Sequence, residues 1–282
     1  MPRGVPLREG LLVAFARILS HARSCARRAA EEPEEAVHEF RKSVRRARAL
    51  VSLVRPSLGK GAALGIAAEL RRAFAETGPL RDADILLTTL RSVPAEDPHR
   101  TAIEETLERE RLRDGARAAA ALKTGGRILQ PLPGALRVTL PRDFSMDDLA
   151  RGIARGYRRS QDALQRAAET RLLIDLHEWR KRVKELRYEI ELLASSGSSE
   201  SRHREKKLST LAEELGRVTD LVVLLAALGE RERAGKIPHA AVLLDAIRAD
   251  VGKASQNLIA RGEELFTESP ASFARQVLAE RG

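Results

Sequence analysis

A single cysteine, Cys25, in 282 residues excludes a disulfide scaffold and any cysteine-rich zinc module. Aromatics are almost as scarce: one Trp, two Tyr and six Phe make up 3% of the chain. Long apolar runs are missing too. The longest is the eight-residue Leu221–Leu228, against the roughly 20 residues a membrane helix needs. The apolar run Leu11–Ala16, flanked by Glu9 and Arg17, is shorter than the roughly 7–15 residues of a secretory core. A cytoplasmic, non-membrane protein is therefore expected. Lysine is rare, with only nine among the 50 cations, so 41 are arginine. Nucleotide-loop chemistry is absent as well. Gly59-Lys60-Gly61 and Gly235-Lys236-Ile237 lack both the earlier glycine and the following Ser or Thr of a phosphate loop.

What is present is helix. Ala, Leu, Glu and Arg dominate, and 43% hydrophobic content is enough for a core. Leu11, Leu12, Phe15, Ile18 and Leu19 repeat at three- and four-residue steps. So do Val37, Phe40, Val44, Ala47 and Val51, and later Trp179, Val183, Leu186, Ile190 and Leu193. Pro33 before Glu34 and Glu35 suits a helix start. Breaks stand at Arg55–Gly61, Val93–Pro98, Ser195–Ser201 and Gly235–Pro238. The pattern predicts an all-α fold with helices near 7–30, 34–54, 61–77, 80–91 and 98–122. A second set is predicted near 146–170, 173–194, 202–216, 218–234, 239–265 and 270–281. Three prolines and three glycines in Gly125–Pro141 read as a linker, within which Ala135–Leu140 is compatible with a short strand. The expected organisation is one helical repeat over 1–124, a linker over 125–145 and a second repeat over 146–282.

The repeat is written in the residues. His38-Glu39-Phe40-Arg41-Lys42-Ser43-Val44-Arg45 returns 139 positions later as His177-Glu178-Trp179-Arg180-Lys181-Arg182-Val183-Lys184, and Arg48 then matches Arg187. Gly78-Pro79-Leu80-Arg81-Asp82-Ala83-Asp84 aligns with Gly216-Arg217-Val218-Thr219-Asp220-Leu221-Val222 at an offset of 138. Two matches at nearly one offset describe two similar halves. At about 100° per residue, His38, Arg41, Lys42, Arg45 and Arg48 share one helical face, opposite the apolar stripe. His177, Arg180, Lys181, Lys184 and Arg187 do the same in the second copy.

The formal charge of +10 is therefore concentrated: windows 38–48 and 177–187 carry +4 and +3. Like charges stacked on a helix face repel by a few tenths of a kcal/mol per neighbouring pair. Either intramolecular acids or an external polyanion must offset them, and the only local acids, Glu39, Glu178 and Glu185, lie off the stripes. Solvated outer faces held by salt bridges remain the plain alternative. Arginine forks, lysine point charges and histidine N–H groups are suited to phosphate oxygens.

These paired His-x-x-Arg-Lys-x-x-Arg/Lys-x-x-Arg helices resemble the conserved histidine α-helical domain, the CHAD family. Leu80–Leu86 and Leu215–Leu221 resemble that family's following helices. The resemblance spans nearly the whole chain. It implies two pseudo-symmetric antiparallel four-helix-bundle-like halves around a central basic groove. It further implies non-catalytic binding of inorganic polyphosphate, without cofactor or metal, and association with polyphosphate granules. A triphosphate tunnel metalloenzyme or another polyphosphate-metabolising enzyme is the implied protein partner. The Glu-x-Glu-x-Lys mark of the tunnel enzymes is absent, since Glu108-Arg109-Glu110-Arg111 runs into Leu112. Arg81 faces Thr219 in the second copy, which favours a local ion-pair role for Arg81. Glu185 replaces Arg46 beside the second stripe.

Other groups are weaker candidates. Arg72 and Lys207, with Arg71 and Lys206, could extend the groove, and the Tyr188 phenol could contact a phosphate or close a helix interface. Lys42 and Lys181 stand where a zincin helix needs its second histidine, so a metal reading of His38-Glu39 and His177-Glu178 is disfavoured. Asp82, Asp84 and Asp220 read as partners of helix starts, and Cys25 as a small core residue. Nucleic acid is the main competing ligand, being also a phosphate polyanion, and a scaffold docking an acidic protein is another. Phe40 and Trp179 lie on the apolar faces, so neither stripe offers a ring for base stacking.

Overall fold

The computed structural model describes residues 5–95, 97–194 and 199–279. Among them every regular element is helical. In chain order these are α1 (Leu7–Arg28), α2 (Pro33–Val54), a 3-10 turn (Arg55–Ser57), α3 (Lys60–Ala75), α4 (Gly78–Ser92), α5 (Arg100–Gly115) and α6 (Ala118–Leu129). There follow α7 (Leu132–Thr139), α8 (Met146–Thr170), α9 (Leu173–Ala194), α10 (Ser199–Arg233), α11 (Ala241–Leu265) and α12 (Pro270–Ala279).

α2 and α9, the two basic helices, pack against each other at the centre. α1 lies along α2, and α8 lies along both α9 and α2. α3 and α4 also flank α2, α10 flanks α9, and α4 meets α10. The apolar stripes close this arrangement. Phe40, Val44, Trp179 and Val183 are fully buried, so the basic faces lie on the opposite sides of α2 and α9.

Three expectations are corrected. The stretch 125–141 is not an extended linker, because α6 and α7 run through most of it and bury Leu129, Leu132 and Leu136. Pro133 sits in the first turn of α7, where a missing N–H costs nothing. Gly125 lies under Phe40, where a Cβ would come within 2.6 Å of the ring, so it serves packing rather than a turn. Likewise the break expected at Arg217 is absent, and α10 passes straight through Gly216 beside the Arg180 side chain. Conversely the single helix expected over 98–122 divides into α5 and α6 at Ala116–Arg117. Most of the break expected at Ser195–Ser201, and the end of 270–281 beyond Ala279, lie outside the described residues.

α8 is the best-capped helix. Ser145 accepts from the Asp148 N–H, and the Asp148 carboxylate accepts from the Ser145 N–H at 2.9 Å, a capping box. The Ser57 hydroxyl also donates to Asp148, at 2.6 Å, tying the end of α2 to the start of α8. These bonds hold the Asp148 carboxyl at a pKa of about 2, with the Ser57 bond contributing most. A folded pKa below the unfolded value of about 3.9 stabilises the protein above that value and is lost as pH falls towards 2. Ser145→Ala is expected to cost about 1 kcal/mol, read from urea unfolding at pH 7.

Candidate functional site

The two basic faces converge. Lys184 of α9 is close enough to Arg45 of α2, and to Arg180 and Arg187 of its own helix, for all three to depress its proton affinity. Burial is the largest cause, and together these effects lower the ammonium to a pKa of about 7, with Asp220 opposing. No acid among the described residues lies within ion-pair distance of Lys184. The surroundings of Lys184 thus disfavour its charged form.

Around it the stripe residues divide by partner. Arg41 is buried, 7% exposed, with its guanidinium 3.8 Å from the Phe74 ring centroid. Its Nη1 donates to the Phe74 carbonyl and the Thr77 hydroxyl at 3.3 and 3.4 Å, pinning α2 to the α3–α4 corner. Arg45 and Arg48 also stand over the Phe74 ring, at 5.1 and 5.9 Å. Arg48 stays exposed. The surrounding protein lowers its proton affinity, Glu185 raises it, and Arg71 lowers it again, which sets Arg71 of α3 beside the stripe. Lys42 pairs with Glu39 at 3.0 Å and Lys181 with Glu178 at 3.6 Å, both one turn away on their own helices.

In α9, Arg180 reaches Asp220 of α10 at 3.4 Å. Arg187 bonds Glu205 at 3.1 Å and approaches Glu191 at 3.8 Å, and Glu191 also pairs with Arg46 across from α2. The acids offsetting the stripes therefore come both from the stripes' own helices and from their neighbours. His177 is half-buried, and its pKa is lowered from the usual 6.5 by burial, then by Lys181 and Arg180. It is a neutral hydrogen-bonding group at pH 7. His38 sits half-buried at the matching position of α2.

The secondary candidates fare differently. Arg72 is turned to Glu69 at 3.2 Å, while its neighbour Arg71 is the one beside Arg48. Lys206 and Lys207 are exposed on α10. Tyr188 is buried, with the Arg187 guanidinium 5.2 Å from its ring. The Arg81 side chain lies outside the described residues. Asp220, read from sequence as the partner of a helix start, is mid-helix in the uninterrupted α10 and serves Arg180 instead. Phe74 was not legible as a site residue, since it lies on the third helix and belongs to no repeated motif. Among the described residues no three His, Cys, Asp or Glu side chains gather as metal ligands. No described helix is long and apolar enough to cross a membrane.

An all-α molecule that packs two matching His/Arg/Lys helices side by side defines a class of helical proteins with paired basic helices. Within that class the chain belongs to the CHAD family, whose domain model matches residues 11–229. The fold resembles the crystal structure of the CHAD domain from the plant Ricinus communis, with a TM-score of 0.68 and 23% identity, covering 99% of this chain and 93% of that one. It also resembles PptA from Streptomyces chartreusis, at a TM-score of 0.57 and 18% identity over 98% of this chain and 100% of that one. No functionally curated protein matches.

Proposed function

We propose that the chain binds inorganic polyphosphate in the groove between α2 and α9, without catalysing its breakdown. CHAD domains occur in polyphosphate-related proteins, which agrees with this reading. The observation that carries it is Lys184: an ammonium held among Arg45, Arg180 and Arg187, with no acid at ion-pair distance among the described residues. Such a floor is costly when empty and is relieved by an anion. A linear chain of phosphates engages many such donors at once, which a single orthophosphate cannot. Lys42, Arg45, Arg48, Arg180, Lys181, Lys184 and Arg187 supply the charge-assisted bonds. His38 and His177 add hydrogen bonds, and Arg41 supports the groove from beneath. Phe74 does not turn the groove into a base-stacking site, because Arg41 already occupies its face at 3.8 Å. Targeting to polyphosphate granules, or presentation of polymer to a polyphosphate-metabolising enzyme, follows from binding without turnover.

The test is titration with long-chain polyphosphate, orthophosphate and single-stranded DNA at one salt concentration. Long polyphosphate is expected to bind at least tenfold more tightly than either, roughly the gain that linked contacts provide. Equal affinity for DNA would remove the polyphosphate assignment. Orthophosphate released from the polymer by pure protein would overturn the non-catalytic part.

A further inference from the structure

We propose that the polyanion track does not end with the duplicated stripes but continues onto a second anion subsite made by Arg55, Arg155 and Arg159. This deepens the polyphosphate reading and rests on it.

The subsite begins where α2 ends. Arg48 and Arg55 are seven residues apart, hence on one face of the helix and about 10 Å along its axis. α8 packs against that end, and its Arg155 and Arg159, one turn apart, reach across to the Ser52 hydroxyl at 3.5 and 3.4 Å. Two guanidiniums therefore meet at one serine, and Arg55 is near enough to act on Arg155. Arg155 feels both others: burial lowers its proton affinity most, followed by Arg159 and Arg55.

Internal acids offset the three only in part. Arg55 is exposed, and neither it nor Arg155 has an acid within ion-pair distance among the described residues. Arg159 pairs with Glu185 at 3.3 Å, but Glu185 is shared with Arg182 at 3.0 Å. Behind Ser52 lies Glu189, fully buried. Burial and the neighbouring Glu185 raise its pKa above the usual carboxylate value, while Ser52, Arg159 and Arg155 oppose that rise, and Glu185 and Glu189 in turn favour the charged form of Arg155. Arg55, Arg155 and Arg159 outnumber the acids that face them, Glu185 being shared with Arg182, and such a surplus of guanidiniums fits a tetrahedral oxyanion, with bidentate forks to its oxygens.

Continuity with the groove follows from Glu185. It acts on Arg48 and bonds Arg159, so the first stripe and the new cluster share a neighbour. The repeat offers no counterpart: 139 residues from Arg55, Arg155 and Arg159 stand Ala194, Ala16 and Ser20. The track is therefore lengthened at one end only. A polymer long enough to leave the groove has a preferred exit, and a short one gains nothing from it.

The experiment compares wild type with Arg55→Ala/Arg155→Ala on long-chain polyphosphate and on tripolyphosphate. The double variant is expected to lose about tenfold or more of its long-chain affinity and less than about twofold for tripolyphosphate. Its slope of log affinity against log salt should also fall by about 1.5, near 0.7–0.9 for each cation taken off the track. Arg113→Ala/Arg117→Ala, which removes the same charge from the α5–α6 corner, should leave the length preference unchanged. Equal losses for both ligands, no loss, or an equal loss in that control would overturn the extension while leaving the groove assignment standing. A wild type that binds neither polymer would overturn both. Arg55→Gln changes an exposed side chain without an ion-pair partner among the described residues, so it reports even if the double variant fails to fold. Alone it should lower long-chain affinity severalfold, and an unchanged value would count against the subsite.

Discussion

Replacing Lys184 with Met is expected to weaken long-chain polyphosphate binding by roughly 10- to 100-fold and at the same time to raise the melting temperature of the free protein. The first effect is the loss of a charge-assisted hydrogen bond at the groove floor, worth about 1.5–3 kcal/mol. The second follows because the site penalises the ammonium. A lysine whose pKa falls from about 10.4 unfolded to about 7 folded destabilises the native state wherever the unfolded chain holds the extra proton. Met keeps the stem and removes the charge, so a rise of about 2–4 °C per kcal/mol recovered is expected for a chain of this size.

The same group sets a pH dependence with a definite sign. Below pH 7 Lys184 is already charged when the polymer arrives. Above pH 7 binding must take up a proton, because the polyanion restores the amine's affinity for it. Wild-type affinity should therefore fall as pH rises through 7 to 9, by at most about tenfold per pH unit. Free-protein stability runs the other way, rising over pH 7 to 10 as the unfolded state loses its advantage in protons. Lys184→Arg, which cannot deprotonate, should bind equally at pH 7 and 9. Isothermal titration in two buffers of different ionisation enthalpy reads the proton uptake directly. A wild-type affinity that is flat across pH 6–9 would contradict the assignment of Lys184 to the groove floor.

The contrast between Lys184 and its neighbours also marks how far sequence reading reached. Both stripes were legible because a helix face repeats at three and four residues, and the 139-residue echo made each copy a check on the other. Their convergence was implied only by family resemblance. It becomes physical through the packing of α2 on α9 and the effect of Arg45 on Lys184. Within a stripe, periodicity could not separate Arg41, buried against Phe74, from exposed Arg48, since both satisfy the same spacing. Nor could it find Asp220, Glu191 and Glu205, which reach Arg180 and Arg187 from other turns or helices. Part of the plain salt-bridge alternative is thus realised, and Lys184 is what it leaves unanswered.

Glycine misled for a related reason. Propensity reads Gly216 and the 125–141 segment as breaks, because a missing side chain costs helix stability of about 1 kcal/mol. At Gly125 the same absence makes room for the Phe40 ring, which a Cβ would approach to 2.6 Å. The Arg55–Arg155–Arg159 cluster was invisible on other grounds: its members come from the end of α2 and from α8, and no repeat pairs them.

Gly152→Ala and Gly156→Ala should each destabilise the protein by about 2–3 kcal/mol, although alanine ordinarily improves a helix by about 1 kcal/mol. The reversed sign comes from close packing. A Cβ on Gly152 would stand 1.9 Å from the Leu53 carbonyl oxygen, and one on Gly156 would stand 2.1 Å from Glu189 Oε2. The two obstacles differ in kind. The first is backbone of α2, which moves only if α8 is pushed away. The second is the end of a side chain, itself fully buried. Glu189→Ala should therefore rescue Gly156→Ala and leave Gly152→Ala unrelieved. A double-mutant cycle read by urea unfolding is expected to give a coupling above about 1.5 kcal/mol for the first pair and near zero for the second. The second pair acts as the control for any general loosening of α8 by Glu189→Ala. Rescue of both glycine variants, or of neither, would mean that Glu189 is not what Gly156 makes room for. The same variant carries a pH signature. A glutamate with a raised folded pKa costs stability from its unfolded pKa of about 4.3 upward, so Glu189→Ala should flatten the decline in stability above that point. That window opens below the one Lys184 governs, so the two buried groups can be told apart in a single pH series.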